Sequence, residues 1–336
     1  MCPRELDILS IASNNQRKPR LAIVSYASQE ISKRNSDSFN RLRTRIFRTI
    51  AVPLAVAASI LSIELAHGDN SSPLPRPDHI VLVIEENHAY SQIINSPDAP
   101  YTNRLATQGA LFTQSFGLTH PSQPNYLAIF SGSTQGITDN SCPRTFTTPN
   151  LGHALLAKGL TFAGYSEDLP AIGSLMCSEG PYARKHNPWV NWQDSAANGL
   201  PATANVPMAS FPTDYTTLPT VSVIVPNLLN DMHHGKDPDR IQTADRWLRE
   251  HMDAYVQWAQ EHNSLLIVTW DEDDGKENNR IVTLFVGPMV QAGRYDQRIT
   301  HYNVLRTIDD LYGLSHSGAS TDATPITRIW KPAPRP

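Results

Sequence analysis

Residues 79–87 of this chain read His-Ile-Val-Leu-Val-Ile-Glu-Glu-Asn. The run from Ile80 to Ile84 is continuously apolar and mostly β-branched, which is typical of a strand covered on both faces of a parallel sheet. The run stops at two glutamates and an asparagine. In an open α/β sheet, ligands bind outside the carboxyl ends of the strands, so this stretch predicts both the fold and the place of a functional site.

Two later apolar runs also end in acidic, amide or imidazole side chains. The run 221–225 is followed by Asn230, Asp231, His233 and His234, and the run 265–270 is followed by Asp271, Glu272, Asp273 and Asp274. Parallel strands place their carboxyl ends at one edge of a sheet, so we expect these clusters and the one after Ile84 to converge.

Segments with helical spacing alternate with the strands. We predict helices at 101–108, 151–158, 238–262 and 303–312, and further strands at 160–165 and 281–286. This alternation predicts a three-layer α/β/α sandwich with a mostly parallel central sheet. We assign one domain to 78–330, with a loop or cap at 166–220, where the periodicity fades, and a tail at 331–336.

Composition limits the classes of partner. The chain has 336 residues, of which 40% are hydrophobic, so it can bury a large core. Its formal net charge of -4 gives no basic surface of the kind that nucleic-acid-binding proteins carry. We expect no nucleic-acid partner, and any recognition of phosphate has to be local.

The N-terminal part has the pattern of an export signal. Arginines between Arg41 and Arg48 precede an apolar run, 50–63, that is too short to span a bilayer. We interpret 1–66 as an atypical leader with a signal-peptide-like segment at 41–66, followed by a linker at 67–77. We expect an exported, periplasmic or extracellular protein without a stable membrane anchor. The polar residues before Arg41 and the presence of Glu64 are unusual for a leader, and a short amphipathic membrane anchor is the other interpretation.

The cysteines fit export. Cys2 would leave with the leader, and the mature chain would keep Cys142 and Cys177, both in segments rich in turn residues. In an oxidising compartment we expect these two to form a disulfide, which would contribute roughly 3–4 kcal/mol in the chain-entropy model. Two unrelated buried thiols are the other interpretation.

Ser122 is the candidate nucleophile. It lies in the stretch His-Pro-Ser-Gln-Pro-Asn-Tyr, 120–126, before an apolar helix start, although a serine between prolines can equally mark a simple turn. The acidic residues that follow the predicted strands favour a functional role for Ser122, because carboxylate and amide oxygens form sites for hard divalent cations. A cation can activate a hydroxyl at neutral pH, and histidines can bind phosphate oxygens or protonate a leaving group.

The chain resembles the bacterial phosphoesterase family of the alkaline phosphatase-like superfamily, which contains secreted acid phosphatases and phospholipases C. The motifs that carry the resemblance are Glu86-Asn87 after the first strand, 120–126, Arg-Lys-His-Asn-Pro at 184–188, Asn-Asp-Met-His at 230–233, Trp-Asp-Glu-Asp-Asp-Gly at 270–275 and His-Tyr-Asn-Val-Leu-Arg-Thr-Ile at 301–308.

The resemblance implies a role for each residue that matches the family's motifs. The metal ligands would be Glu86, Asn87, Asp271 and Glu272, with Asp273 or Asp274 in place of Glu272 as the other assignments. Ser122 would form a phosphoseryl intermediate. The residues near the phosphate would be His233, His234 and His301. We also expect Asn125, Arg184 and His186 to face the substrate, although Arg184 and His186 could instead hold the cap together. Because Glu86-Asn87 and Asp271-Glu272 depart from the ligands of two-zinc alkaline phosphatases, we expect one divalent metal ion: Ca, Mg, Mn or Zn.

These observations predict a secreted, metal-dependent phosphomonoesterase of the acid phosphatase type. Its substrate would be a small phosphate ester, or a phospholipid. A phospholipase C or another phosphodiesterase is the close alternative, because in-line displacement makes similar demands on the site with either ester. A secreted binding protein that holds a metal without catalysis is the alternative from a different class.

Overall fold

The computed structural model describes residues 74–332, so the leader and its signal-peptide-like segment lie outside the described residues. The helices are α1 (Tyr90–Ile93), α2 (Pro100–Gln108), α3 (Ser122–Ser131), α4 (Leu151–Ala157), α5 (Asp239–Glu261) and α6 (His301–Tyr312). The strands are β1 (His79–Glu85), β2 (Ala110–Phe112), β3 (Ser115–Phe116), β4 (Phe162–Ser166), β5 (Ser178–Glu179), β6 (Tyr182–Ala183), β7 (Asn205–Pro207), β8 (Val221–Val225), β9 (Ser264–Trp270), β10 (Arg280–Ile281), β11 (Thr283–Val286), β12 (Gly293–Tyr295) and β13 (Ile299–Thr300).

The central sheet of the described chain has 8 strands in the order β12-β2-β11-β9-β1-β8-β4-β7. From β9 to β7 every neighbouring pair is parallel, whereas β11 runs antiparallel to both β9 and β2. Ile80 of β1 is paired with Leu265 on one side and Val221 on the other. The predicted mostly parallel sheet is therefore confirmed.

Successive residues of β1 face two different helix layers. Ile80, Leu82 and Ile84 pack in the core on the side of α3, α4 and α6, whereas Val81 and Val83 pack with α2 and α5. Side chains of a strand alternate between faces, so a strand covered twice has to be apolar at every position. This arrangement is the predicted three-layer α/β/α sandwich.

The segment 166–220 contains short elements instead of long ones. Its 3-10 helices are Arg184–His186, Pro188–Trp192, Ala202–Ala204, Met208–Ser210 and Tyr215–Thr217. Trp189 lies against Gly164 of β4, where an added Cβ would be 2.1 Å from the indole ring, so only glycine permits this close approach. Trp189 and Trp192 are both buried, so these aromatic side chains pack inside the protein and not on its surface.

A disulfide joins Cys142 to Cys177 with their Cα atoms 5.7 Å apart, which confirms the predicted pair. It ties the loop after α3 to the segment that precedes β5. Among residues 74–332, no helix has the length and apolar character needed to cross a membrane.

Candidate active site

The ends of β1, β8 and β9 meet, as their order in the sheet requires. The backbone N–H of Asp271 donates to the carbonyl of Glu85 (3.0 Å), and the N–H of Glu86 donates to the carbonyl of Asp231 (2.8 Å). Asn87, which follows, has a φ of 51° and so turns the chain sharply after the strand. Its backbone N–H donates to Oδ1 of Asp271 (3.1 Å). The three predicted clusters are therefore one site.

Ser122 is the first residue of α3 and is 2% exposed. Its Oγ lies 3.0 Å from Oε2 of Glu86 and 3.2 Å from Oε1 of Glu272, so one hydroxyl proton is shared between two carboxylates. The N-terminus of a helix attracts negative charge, although in α3 the N–H of Gln123 already donates to Oδ1 of Asn140 (3.0 Å) and Pro124 has no N–H. The serine is thus held at a position where a phosphate would meet both the hydroxyl and the positive end of a helix.

The geometry distinguishes between the candidate acids after β9. Glu272 contacts Ser122, whereas the carboxylate of Asp273 accepts backbone N–H groups from Gly275 (2.7 Å) and Glu277 (2.7 Å). Asp274 is paired with the exposed Lys276. Asp273 therefore shapes its own loop, and Glu272 is the acid that joins Asp271 beside the serine.

Asn125 contacts the site from the second turn of α3. Its Oδ1 accepts the N–H groups of Leu118 (2.9 Å) and Thr119 (3.2 Å), and its Nδ2 donates to Oε2 of Glu272 (3.2 Å). It is fully buried. These contacts fix the entry into α3 and orient Glu272.

A second group of side chains lies on the other oxygen of Glu86. Oε1 of Glu86 is 3.0 Å from Nε2 of His186, and Nδ1 of His186 is 3.3 Å from Oδ2 of Asp231. The His186 ring stacks on Tyr126 with centroids 5.0 Å apart. Ligand atoms of Glu86, His186 and His233 come within 4.8 Å of one another, so these three could also hold a cation.

Lys185 brings a positive charge to this group. Its Nζ lies 3.1 Å from Nε2 of His233, which must accept the hydrogen bond, because an ammonium group can only donate. His234 is exposed, and its ring centroid is 4.8 Å from that of His233. Lys185, His233 and His234 therefore form a cluster of nitrogen-bearing side chains next to the carboxylates.

The pKa shifts reflect these charges. Burial raises the pKa of Glu272 to about 8, and the nearby Glu86 carboxylate adds to the effect. Burial raises the pKa of Asp271 as well, again with Glu86 and Glu272 contributing. Burial would also raise the pKa of Glu86, but the charges of His186, Lys185 and His233 outweigh it and hold that pKa at about 2.

The pKa values of His186 and His233 shift in opposite directions. Burial alone would lower the pKa of His186, but the Glu86 carboxylate and hydrogen bonds with Asp231 raise it. Burial lowers the pKa of His233 to about 4, and the charge of Lys185 opposes its protonation too. The environment of His186 therefore favours its protonated form, whereas His233, with its pKa at about 4, is the neutral acceptor for Lys185 at neutral pH.

Two of the residues predicted for this site are used elsewhere. The guanidinium of Arg184 donates to the carbonyls of Leu175 (2.9 Å) and Arg144 (2.9 Å), so the structure does not bring it to Ser122. His301 is buried, with Nε2 2.6 Å from the carbonyl of Asp271. It fixes the backbone that carries Asp271 and is not directed at the serine.

The sequence alone indicates no specific role for Lys185 or Asp231, and the position of His120 before the Ser122 turn fits a cap beside the turn as well as a functional group. In the structure, Nδ1 of His120 lies 2.9 Å from Oε2 of Glu272, and its side chain is 46% exposed. All three lie in the motifs on which the resemblance rests, which was the available signal. Contacts between separate motifs decide their roles, and a single sequence does not show such contacts.

Comparisons with known proteins agree with this geometry. The model of the phosphoesterase family matches residues 93–315. The phosphatidylinositol-3-phosphatase of Mycobacterium tuberculosis is 47% identical over 88% of this chain and 99% of its own length. An acid phosphatase of Aspergillus fumigatus is 28% identical over 64% of this chain and 51% of its own length.

Solved structures share the fold at low identity. A protein of the alkaline phosphatase superfamily from Vibrio parahaemolyticus has a TM-score of 0.52 and 13% identity, over 77% of this chain and 72% of that one. The lipoteichoic acid synthase LtaP from Listeria monocytogenes has a TM-score of 0.55 and 10% identity, over 78% of each chain. The chain therefore belongs to the phosphoesterase family, has an alkaline phosphatase-like fold and is a phosphoric ester hydrolase.

Proposed function

We propose that this chain is a metal-dependent phosphomonoesterase that acts through a phosphoseryl intermediate on Ser122. The observation that carries the proposal is the position of Ser122, whose hydroxyl lies within 3.2 Å of two buried carboxylates at the start of a helix. A hydroxyl is a weak nucleophile unless a base or a cation activates it. The convergence on one serine of carboxyl groups that can act as a base or hold a cation favours nucleophilic catalysis over a role in the turn.

The donor set fits a divalent cation. Glu86, Asp271, Glu272 and the side chain of Asn87 offer hard oxygen ligands, and Oδ2 of Asp271 is buried without a hydrogen-bond partner in the structure. Three mutually repelling carboxylates in a buried site are costly unless a positive charge joins them. A bound cation would lower the pKa of the serine hydroxyl and neutralise charge on the phosphate. We retain one ion, with Glu86, Asn87, Asp271 and Glu272 as its proposed ligands.

The chain's own residues supply the remaining steps. Oγ of Ser122 attacks phosphorus in line with the leaving alcohol, the serine proton passes to Glu272, and the bond between phosphorus and the alcohol oxygen breaks. Lys185 and the N-terminus of α3 bind the non-bridging oxygens, and His233 orients Lys185 through their hydrogen bond. His234, exposed beside them, is the proposed proton donor to the leaving alcohol. Water then attacks the phosphoserine and gives a proton to His234, the proton held by Glu272 returns to Oγ of Ser122, and phosphate leaves.

The comparisons support a monoester as the substrate. The names of the relatives denote acid phosphatases and a phosphatase of phosphatidylinositol 3-phosphate, and all of these act on phosphate monoesters. We therefore propose phosphate monoesters, including a phosphoinositide, as the substrates. Phospholipase C activity remains the second candidate, because the resemblance includes that class.

The Cys142–Cys177 disulfide supports export, because disulfides persist in oxidising compartments and are rare in reducing ones. We propose a periplasmic or extracellular enzyme. Labelling of the native exported protein with a thiol reagent should find neither of these cysteines free.

The deciding experiment combines Ser122→Ala with measurement of bound metal. We expect hydrolysis of p-nitrophenyl phosphate to fall by about 10³-fold or more, while thermal stability and metal content stay near those of the wild type. Ser210→Ala, at an exposed serine, is the matched control and should keep full activity. If Ser122→Ala retained most of the activity, the proposed nucleophile would be wrong. Faster turnover of the bis-ester than of the monoester would favour a phosphodiesterase.

A further inference from the structure

The two carboxylate oxygens of Glu272 have different neighbours. Its Oε1 lies 3.2 Å from Oγ of Ser122. Its Oε2 lies 3.2 Å from Nδ2 of Asn125 and 2.9 Å from Nδ1 of His120. Because two nitrogen-bearing side chains contact Oε2, the carboxylate presents Oε1 to the serine. The orientation of Glu272 therefore depends on side chains other than the serine itself.

His120 contacts Glu272 from the side of the solvent. Its side chain is 46% exposed, whereas that of Glu272 is 6% exposed, and Asn125 is fully buried. The imidazole ring therefore covers Oε2 where the buried carboxylate comes nearest to water. Without the ring, water would reach Oε2 and compete for the carboxylate, which could then turn away from Ser122.

The ring of His120 is itself held by a rigid acid. Its second nitrogen, Nε2, lies 3.3 Å from Oδ1 of Asp273. The carboxylate of Asp273 is buried and accepts three backbone N–H groups, those of Gly275 (2.7 Å), Glu277 (2.7 Å) and Asn279 (3.0 Å). A carboxylate with three backbone donors has little freedom to move. It therefore fixes the edge of the imidazole that faces away from Glu272.

Asn279 joins the loop of His120 to the loop of Asp273. Its Oδ1 accepts the N–H of Asp273 (2.8 Å), and its Nδ2 donates to the carbonyl of Thr119 (3.1 Å), which directly precedes His120. Its backbone carbonyl accepts the N–H of Gly117 (2.8 Å). One side chain thus sets the distance between the two loops, so the contact of His120 with Asp273 is a built feature of the site.

We propose that His120 is a positioning residue of the phosphatase reaction, and that it orients Glu272 so that Oε1 faces Ser122. Side chains that hold a ligand or a base from behind typically change affinity or activity by about 10–100-fold when they are removed. This inference rests on the proposed function, in which Glu272 receives the serine proton and is a ligand of the cation.

The two nitrogens of His120 can be tested separately. Asparagine places an amide nitrogen near the position of Nδ1, and glutamine places one near Nε2. We expect His120→Ala and His120→Gln to lower kcat for p-nitrophenyl phosphate by about 10–100-fold, with KM changed by less than about threefold. His120→Asn should keep kcat within about threefold of wild type, because it retains a donor for Oε2 of Glu272.

His316→Ala is the matched control. Nε2 of His316 lies 2.6 Å from Oδ1 of Asp310, so this is also a histidine beside a carboxylate, in the loop after α6. The control should keep the wild-type kcat and KM. A loss of kcat in His316→Ala equal to that in His120→Ala would overturn the proposal, because any such pair would then have the same effect.

Metal affinity, measured by competition with a chelator, is a readout that needs no turnover. His120→Ala and His120→Gln should bind the divalent ion about tenfold or more weakly, because Glu272 is less well oriented. His120→Asn and His316→Ala should bind it like wild type. Equal kcat in His120→Asn and His120→Gln would overturn the proposal. A raised KM with unchanged kcat in His120→Ala would also overturn it, since His120 would then bind the substrate.

Failure of the proposed function gives a different result. Ser122→Ala would then keep the wild-type activity, or wild type would hydrolyse no phosphate monoester. The metal affinities of the His120 variants still decide the inference in that case. A loss of affinity in His120→Ala and His120→Gln, but not in His120→Asn, would support the contact with Glu272, and equal affinities in all three would overturn it.

Discussion

Glu85 and Glu86 are neighbours at the end of β1, and both are fully buried, yet they lie in opposite environments. The alternation of the strand directs Glu86 towards Ser122, His186 and Lys185. Both carboxylate oxygens of Glu85 are buried without a hydrogen-bond partner in the structure. Burial raises the pKa of Glu85 well above its ordinary value, whereas positive neighbours hold the pKa of Glu86 at about 2.

This difference shows that burial alone does not create a functional carboxylate. Besides burial, the groups that raise the pKa of Glu85 are acidic, namely Asp231, Asp245 and Glu167, and they favour its protonated form. On the other face, a histidine and a lysine keep Glu86 ionised. Glu86 can therefore bind a cation without first losing a proton, whereas Asp271 and Glu272, whose pKa values are raised, would have to release their protons to the proposed cation.

The largest effect should come from exchanging each glutamate for its amide. Glu86→Gln should lower kcat/KM for p-nitrophenyl phosphate by about 10³-fold, because it removes a charge from the proposed metal and nucleophile site. Glu85→Gln should change kcat/KM by less than about threefold, because its side chain lies on the other face of the sheet. Similar losses in the two variants would show that the faces are not functionally distinct.

We expect a smaller loss of kcat/KM when the positive charge of Lys185, beside Glu86, is removed. Lys185→Met should lower kcat/KM by about 10²-fold and weaken inhibition by inorganic phosphate, because the ammonium group is the proposed partner of the phosphate oxygens. Lys158→Met is the matched control, since Nζ of Lys158 bonds only to the carbonyl of Gly313 at the far end of α6. If phosphate inhibition were unchanged in Lys185→Met, Lys185 would not bind the substrate.

Asp309 in α6, like Glu85, has a buried carboxylate oxygen without a hydrogen-bond partner in the structure, namely Oδ2. It lies away from the candidate site. Burial, with a contribution from Asp310, raises its pKa to about 8. The folded state therefore binds this proton more tightly than the unfolded chain does. The stability that it contributes is full below about pH 4 and is lost as the pH rises towards about 8.

Asp309→Asn should remove this loss. The variant should gain about 2–4 kcal/mol in free energy of unfolding relative to wild type between about pH 5 and about pH 8.5, as measured by urea denaturation. Asp322→Asn, at an exposed aspartate, should show the wild-type dependence on pH. Parallel curves for wild type and Asp309→Asn would contradict the argument that burial holds the proton.

Much of the fold could be predicted because it depends on local patterns. The apolar runs predicted β8 at its observed bounds and β1 and β9 within one residue at each end. The parallel order then brought Glu86, Asp231 and Asp271 together, since strand ends converge whatever their loops do. β7 was not predicted, because three residues with a proline show no periodicity, and their pairing with β4 is decided by tertiary contacts.

The site was predictable only where strand ends define it. Arg184 resembles a residue that binds phosphate, but carbonyls of its own loop satisfy its guanidinium. Lys185, its neighbour, contacts His233 instead. Which of the two adjacent basic side chains faces the candidate site depends on a 3-10 turn that the sequence does not indicate. The roles of His186 and Asp231 also depend on contacts across loops.

The central claim is that Ser122 carries the phosphoryl group during turnover. The most direct test is to mix the metal-loaded enzyme with substrate, quench it in acid within the turnover time, and identify modified peptides by mass spectrometry. We predict one added phosphoryl group on the peptide that contains Ser122, and none after quenching without substrate. Phosphorylation of a histidine instead, or no labelled peptide during steady turnover with rapid release of phosphate, would contradict it.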